Sequence, residues 1–258
     1  MIFPSSMKRV LLTRQDNSAL AKMLTAEGFD IIDMPLIECS FTVNDDDCAD
    51  VFDGLGSYEW ITFSSPNAVR GFFNAFFDEF DDIRSLGIAR LACVGEATAK
   101  ELAKFYLKAD VVPQKQTAAS LAEAMASFES LENLKILSVC GSMALPDLVK
   151  NLEDKKAIVD IFEVYKTNLI DIAKTDKSAQ LFRKNGADVV VFSSPSAVES
   201  FVRNAKNLLL NEGAKRPKIV AIGTTTAEAL KKRSMEVSAV SESPKVEDIA
   251  DAVKSVCI

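Results

Sequence analysis

The sequence contains no histidine in 258 residues. That absence removes Ser-His and Cys-His nucleophile pairs, the ordinary zinc site, and the one side chain whose unperturbed pKa lies near neutrality. Whatever chemistry occurs must use hydroxyls, carboxylates, cations and backbone amides. Cysteine is scarce and scattered: Cys39, Cys48, Cys93, Cys140 and Cys257 include no CxxC pair. They read as reduced, mostly buried thiols rather than a disulfide framework, so no metal and no cofactor is expected. No apolar run approaches the roughly 20 residues that cross a bilayer. The opening MIFPSSMKR lacks the apolar core and cleavage site of a signal peptide, which predicts a soluble, cytoplasmic protein without a membrane partner. Positive charge is in deficit as well. Lys and Arg number 30 against 37 Asp and Glu, a net charge of −7, and an acidic surface repels nucleic acid.

What the chain does have is a phrase written twice. ITFSSPNAV at 61–69 returns as VVFSSPSAV at 190–198, with Ser193 lying 129 positions after Ser64. ACVGEATAKEL at 92–102 returns as VAIGTTTAEAL at 220–230, and Gly223 lies 128 positions after Gly95. A weaker pair sets KRVLLTR at 8–14 beside LKILSVC at 134–140. Three matches in one order at nearly one offset indicate an internal duplication.

Short β-branched runs alternate with amphipathic stretches in each half. RVLLT, WITF, RLACV, KILSV, DVVVF and KIVAI are apolar on both faces, as buried parallel strands are. SALAKMLTAEG, PNAVRGFFNAFF, SLAEAMAS and VEDIADAV carry helical periodicity. The fold class expected is α/β, with two similar doubly wound parallel-sheet domains. Two polar stretches, 41–50 and 167–176, follow long apolar segments and correspond under the repeat offset. They place the crossings inside the copies, giving one discontinuous domain of 1–38 plus 168–258 and a second of 39–167, with an active-site cleft between them. The triplet Asp45–Asp46–Asp47 reads as part of a solvated linker, and FFNAFFDEF at 72–80 as a core helix face.

The repeated phrases also carry the candidate chemistry. In each Phe-Ser-Ser-Pro, a strand stops and a helix starts, with Ser65 and Ser194 as caps and proline in the first helical position. Such a start at the carboxyl end of a parallel strand is an anion site, and Ser64, Ser65, Ser193 and Ser194 are its candidate donors. The same serines also serve as plain caps with no ligand. The glycine turns at Gly95 and Gly223 lead into hydroxyl-bearing helix starts, making Thr98, Thr225 and Thr226 further candidates beside the same capping alternative. Arg14 follows the first strand, within reach of a carboxylate or simply solvated. Tyr165 lies at one of the crossings, either presenting its phenol to the cleft or packing as an ordinary half-buried tyrosine. Four anion-friendly turns on two facing domains suggest one large ligand with several negative groups.

The ordered set LLTR, MPLIE, WITFSSPNAV, VGEATA, VYKT, FSSPSAV, IGTTTAEAL and SESP resembles the uroporphyrinogen-III synthase family over nearly the whole chain. That resemblance implies two α/β domains joined by a two-stranded connection, and a cyclising hydro-lyase acting on hydroxymethylbilane, a linear tetrapyrrole with many carboxylates. Loss of water from the hydroxymethyl group leaves an azafulvene on ring A. Attack by the substituted carbon of ring D gives a spiro intermediate, and its fragmentation and reclosure invert that ring to yield the type III macrocycle of the haem pathway. Uncatalysed closure gives type I. The resemblance makes Tyr165 the catalytic hydrogen-bond donor to the leaving hydroxyl, and it makes the serines and threonines named above holders of the propionates and acetates. A monomer is expected. Where the family commonly has an arginine-glycine pair with another arginine soon after, this chain reads CGSMALPDLVK, with Cys140 and Leu145 in place of the cations. A second reading is a non-catalytic tetrapyrrole- or anion-binding regulatory module of the same fold. A third is a clamshell carrier of small anions.

Overall fold

The computed structural model describes residues 7–144 and 146–257, so Leu145 and most of the opening MIFPSSMKR lie outside the described residues. The chain divides into two compact units, one holding the chain up to Glu38 with the chain from Asn168 onwards, the other Cys39–Thr167. Unit 1 contains β1 (Arg9–Leu12), α1 (Ser18–Ala26), β2 (Asp30–Asp33), α7 (Lys177–Asn185), β8 (Val189–Phe192), α8 (Pro195–Arg203), β9 (Lys218–Ala221), α9 (Thr224–Lys232), β10 (Ala239–Val240) and α10 (Val246–Val256). Its sheet runs β10-β9-β8-β1-β2, and every pairing in it is parallel. Alternate strand residues feed two cores. Leu11, Val190 and Phe192 pack with α7, α8 and α9, whereas Val10, Val189, Val191 and Val220 pack with α1 and α10. Helices on both faces are what strands apolar throughout require.

Unit 2 contains α2 (Asp45–Asp53), β4 (Trp60–Phe63), α3 (Pro66–Glu79), β5 (Arg90–Cys93), α4 (Glu96–Leu102), α5 (Ala118–Phe128), β6 (Lys135–Gly141) and α6 (Asp147–Glu153). β3 (Ile37–Ser40) and β7 (Ile158–Leu169) carry the chain into and out of it, and the sheet runs β3-β7-β6-β4-β5. One face packs Ile61, Phe63, Leu137, Val139 and Phe162 under α2 and α3; the other packs Trp60, Ala92 and Ile136 under α5 and α6.

The duplication is legible in the topology. β5 and β4 are followed in the sheet by β6 and β7, as β9 and β8 are followed by β1 and β2. Even the two-residue β10 has its counterpart, because Val111 forms a parallel bridge to Ala92 at the outer side of β5. Val111 and Ala239 are 128 positions apart, the same offset as the glycine turns.

Three expectations need correction. Asp45–Asp46–Asp47 is the first turn of α2, not linker: the Asn44 side chain accepts from the Asp46 and Asp47 amides, and three carboxylates face the positive end of the helix dipole. The polar stretch at 167–176 likewise begins inside β7. Of the five cysteines only Cys93 and Cys140 are buried, the others being partly exposed. The phenylalanine-rich helix behaves as expected, with Phe72, Phe73 and Phe76 fully buried.

Candidate active site

At the carboxyl end of β4 the chain must turn from sheet to helix, and Ser65 makes that turn. It has extended backbone, Pro66 follows at the first helical position, and Ser65 Oγ accepts from the Ala68 amide at 3.1 Å. The same oxygen lies 3.2 Å from Tyr165 Oη. Tyr165 reaches this place because β7 slips against β6: Cys140 pairs with Glu163, whereas Gly141 pairs with Tyr165. The extra residue, Val164, breaks the strict alternation of faces. Tyr165 therefore packs against the same core as its neighbour Val164. Its ring lies flat on Gly141, where a Cβ would come within 2.5 Å of Cε2 and 2.7 Å of Cε1. Phe41 contacts it edge-on at a centroid distance of 6.5 Å.

A second glycine sets the helix that carries Ser65. A Cβ on Gly71 would stand 2.6 Å from the Val164 carbonyl oxygen, so only glycine lets α3 sit this close to β7. Arg70, one residue earlier, grips Glu101 on α4 with Nε–Oε1 at 2.9 Å and Nη2–Oε2 at 3.2 Å, and Lys104 adds a third contact at 2.8 Å. Burial opposes the charge on Glu101, yet these cations outweigh it and its carboxyl titrates below the ordinary range. The clamp ties the Ser65 turn to the adjacent glycine turn. There Thr98 is buried in the first turn of α4, and the Gln116 side chain lies against Gly95.

Unit 1 repeats the arrangement with differences. Ser194 caps α8 by accepting from the Ala197 amide at 3.1 Å, and its hydroxyl lies 2.9 Å from Ser196 Oγ. Ser193 Oγ is buried and has no hydrogen-bond partner among the described residues. At the next turn Thr226 is buried in the first turn of α9 while Thr224 and Thr225 are exposed. α8 and α9 are tied by Glu199 and Arg233. Glu199 stands 129 positions after Arg70, but the counterpart of Glu101 at the 128 offset is Ala229, so this ion pair uses a different partner, Arg233 at the end of α9. Arg14 is not the residue directly after β1, since Thr13 intervenes and donates to the Val191 carbonyl at 2.7 Å. Arg14 is exposed, and its guanidinium has no partner among the described residues.

Ser65 and Tyr165 are thus in direct contact, with Ser64 beside them and Thr98 on the neighbouring strand's turn. Ser193, Ser194, Thr225, Thr226 and Arg14 belong to the corresponding edge of unit 1. Gly141 and Gly71 escaped the sequence reading, and only the glycine in CGSM, directly after a strand, signals the first. Burial raises the Tyr165 phenol above its ordinary pKa, against a smaller lowering by the Ser65 hydroxyl. It is therefore a neutral donor at physiological pH. Cys140, where a cation was missed, is buried with its thiol pushed up to about 11, first by burial and then by Glu163. It adds no charge. Among the described residues no group of three or more Cys, Asp or Glu side chains could hold a metal ion, and no helix is long and apolar enough to cross a membrane.

Two related α/β units each end a central strand in a serine-capped helix start, and in one of them a partly buried phenol lies against the capping serine. The model of the family "Uroporphyrinogen-III synthase HemD" matches residues 18–251. The porphyrin biosynthesis protein HemD of Ruminiclostridium josui is 27% identical over 94% of this chain, which spans 47% of that protein's length. The uroporphyrinogen-III synthase of Chlorobaculum parvum is 27% identical over 92% of this chain and 94% of its own. The fold is shared with a mutant uroporphyrinogen III synthase of Thermus thermophilus, at TM-score 0.67 and 18% identity over 97% and 98% of the two chains. It is shared also with the Helicobacter pylori enzyme, at 0.64 and 16% over 97% and 100%. The chain belongs to the uroporphyrinogen-III synthase family, cyclising lyases of porphyrin and haem biosynthesis.

Proposed function

We propose that this chain closes hydroxymethylbilane to uroporphyrinogen III, and that Tyr165 assists departure of the hydroxyl group from ring A. The observation that carries the assignment is the Ser65–Tyr165 contact at 3.2 Å. Ser65 Oγ already accepts from the Ala68 amide, and its own proton can go to Tyr165 Oη. The phenol then keeps its proton for the substrate, and accepting a hydrogen bond makes it a stronger donor. As the C–O bond breaks, ring A supplies the electron pair and its pyrrole N–H proton leaves with the hydroxide as water. The azafulvene so formed is electrophilic through its own nitrogen. The protein's work is then to fold the chain so that the substituted carbon of ring D, rather than its free carbon, meets it.

The carboxylates are assigned to the helix starts. Ser64 and Ser65 in unit 2, and Ser193, Ser194 and Thr225 in unit 1, supply hydroxyls. Thr98 and Thr226 form the floors of the two glycine turns, and Arg14 supplies a cation. The unpartnered Ser193 hydroxyl supports this reading, because a buried hydroxyl without a partner costs about 1 to 3 kcal/mol that a ligand oxygen would recover. The chain is assigned to act as a monomer in the cytoplasm. The test is to supply enzymatically generated hydroxymethylbilane and separate the products by isomer. Predominantly type III macrocycle supports the assignment; type I alone, at the uncatalysed rate, contradicts it.

A further inference from the structure

The two units differ most where the repeated Phe-Ser-Ser-Pro helices end. α3 runs for 14 residues to Glu79, but α8 runs for 9 and stops at Arg203. At the constant offset of 129, Phe73, Phe76 and Phe80 of unit 2 correspond to Val202, Ala205 and Leu209 of unit 1. In unit 2 these rings are packed against one another and against Phe52 and Phe105; Phe73 stacks on Phe105 at 4.3 Å. In unit 1 the corresponding region holds a cavity of about 700 Å³. Phe201, Leu209, Ile219 and Met235 form its reachable wall, with Phe182, Phe192 and Leu208 buried behind them. That volume falls within the range of small-molecule sites, about 300 to 1,000 Å³.

The wall is apolar and the rim is not. Arg216 lies on the rim, exposed, with no partner among the described residues, and Glu212 lies on the same loop. The cavity is reached beside the loop that enters β9 through Arg216 and Pro217, whereas Gly223 and the start of α9 follow that strand's other end. It is therefore separate from the hydroxyl-bearing edge. We infer that unit 1 binds, in this cavity, a small ring-bearing apolar molecule with one acidic group, its rings against Phe201, Ile219 and Met235 and its acid on Arg216. Glu212 repels a second negative charge, which separates this ligand from the polycarboxylate substrate. The shorter α8 and the loss of the Phe76 ring at Ala205 create the space.

The probe is 8-anilinonaphthalene-1-sulfonate, two ring systems with a single sulfonate, titrated into the full chain. Saturable binding of one molecule per chain with a fluorescence rise is expected. Ala205→Phe, which restores in unit 1 the ring unit 2 has at that position, should abolish it with the melting temperature unchanged. Should that variant fold poorly, Ala205→Met should weaken binding at least tenfold, as its flexible side chain enters the same space. Arg216→Gln should weaken the sulfonate probe about tenfold and leave N-phenyl-1-naphthylamine, the uncharged analogue, unaffected. Turnover of hydroxymethylbilane should be unchanged in all three, since none touches the hydroxyl-bearing edge. Absence of saturable binding, or binding that survives in a folded Ala205→Phe protein, overturns the inference.

Discussion

Gly141→Ala adds one methyl group, and the structure says where it goes. The new Cβ would stand 2.5 Å from Tyr165 Cε2 and 2.7 Å from Cε1, whereas carbon atoms rest about 3.5 to 4.0 Å apart. The ring must retreat by about 1 Å, because the alternative is to move β6 and β7 apart within a packed sheet. A shift of that size lifts the phenol from the 3.2 Å contact with Ser65. Misplacing a reacting group by about 1 Å costs on the order of a hundredfold in rate, and crowding a packed site costs about 1 to 3 kcal/mol of stability. Turnover and the ratio of type III to type I product are read on hydroxymethylbilane, with melting temperature as the folding control. The variant should fold, melt several degrees lower and lose most of its type III excess. Tyr165→Ala removes the clash, so Gly141→Ala placed on that background should cost no further activity. A Gly141→Ala enzyme with rate and isomer ratio within twofold of the parent would refute the reasoning.

Buried hydroxyls and thiols give further expectations. Ser193→Ala deletes a buried hydroxyl that has no partner, so the free protein should melt at the same temperature or slightly higher while KM for the substrate rises. A fall of several degrees would mean the hydroxyl has a structural partner. Burial pushes the Cys93 thiol up to about 12 and the Cys140 thiol up to about 11, against about 8.5 in an unfolded chain. Both should stay neutral and unlabelled by a thiol reagent at pH 8 until the protein is denatured. Because the folded values are the higher ones, the stability tied to these thiols is complete below about pH 8.5 and declines as the pH rises towards the folded values. Rapid native labelling of Cys93, or stability rising with alkaline pH, would contradict this.

Local chemistry made much of the fold legible. Serine then proline after an apolar run names a helix start, and both Ser65 and Ser194 cap their helices as their sequences require. Strands apolar on both faces announced a parallel sheet covered twice. Contacts that depend on a third element stayed hidden. The slip between β6 and β7 that brings Tyr165 over Gly141 breaks the period-two rule, and no spacing within either strand reveals it. Three consecutive aspartates read as linker because their high charge masked the asparagine cap before them. The candidate hydroxyls were found by their repetition, but their states were not. Ser65 is bound to Tyr165, Thr98 and Thr226 are buried, and Ser193 is left without a partner, distinctions set by packing rather than by residue type.

Tyr165→Phe isolates the proposed catalytic contact, because it keeps the ring on Gly141 and removes only the hydroxyl. A hydrogen bond strengthened in the transition state is worth about 1 to 3 kcal/mol, roughly tenfold to a hundredfold in rate. Spontaneous closure continues regardless, so the loss appears in the product ratio as well as the rate. At matched protein concentration and unchanged melting temperature, the variant should convert hydroxymethylbilane more slowly, with a type III fraction falling towards the type I background. A Tyr165→Phe protein that forms type III macrocycle at the parent rate and ratio would contradict this role, leaving Tyr165 a packing residue.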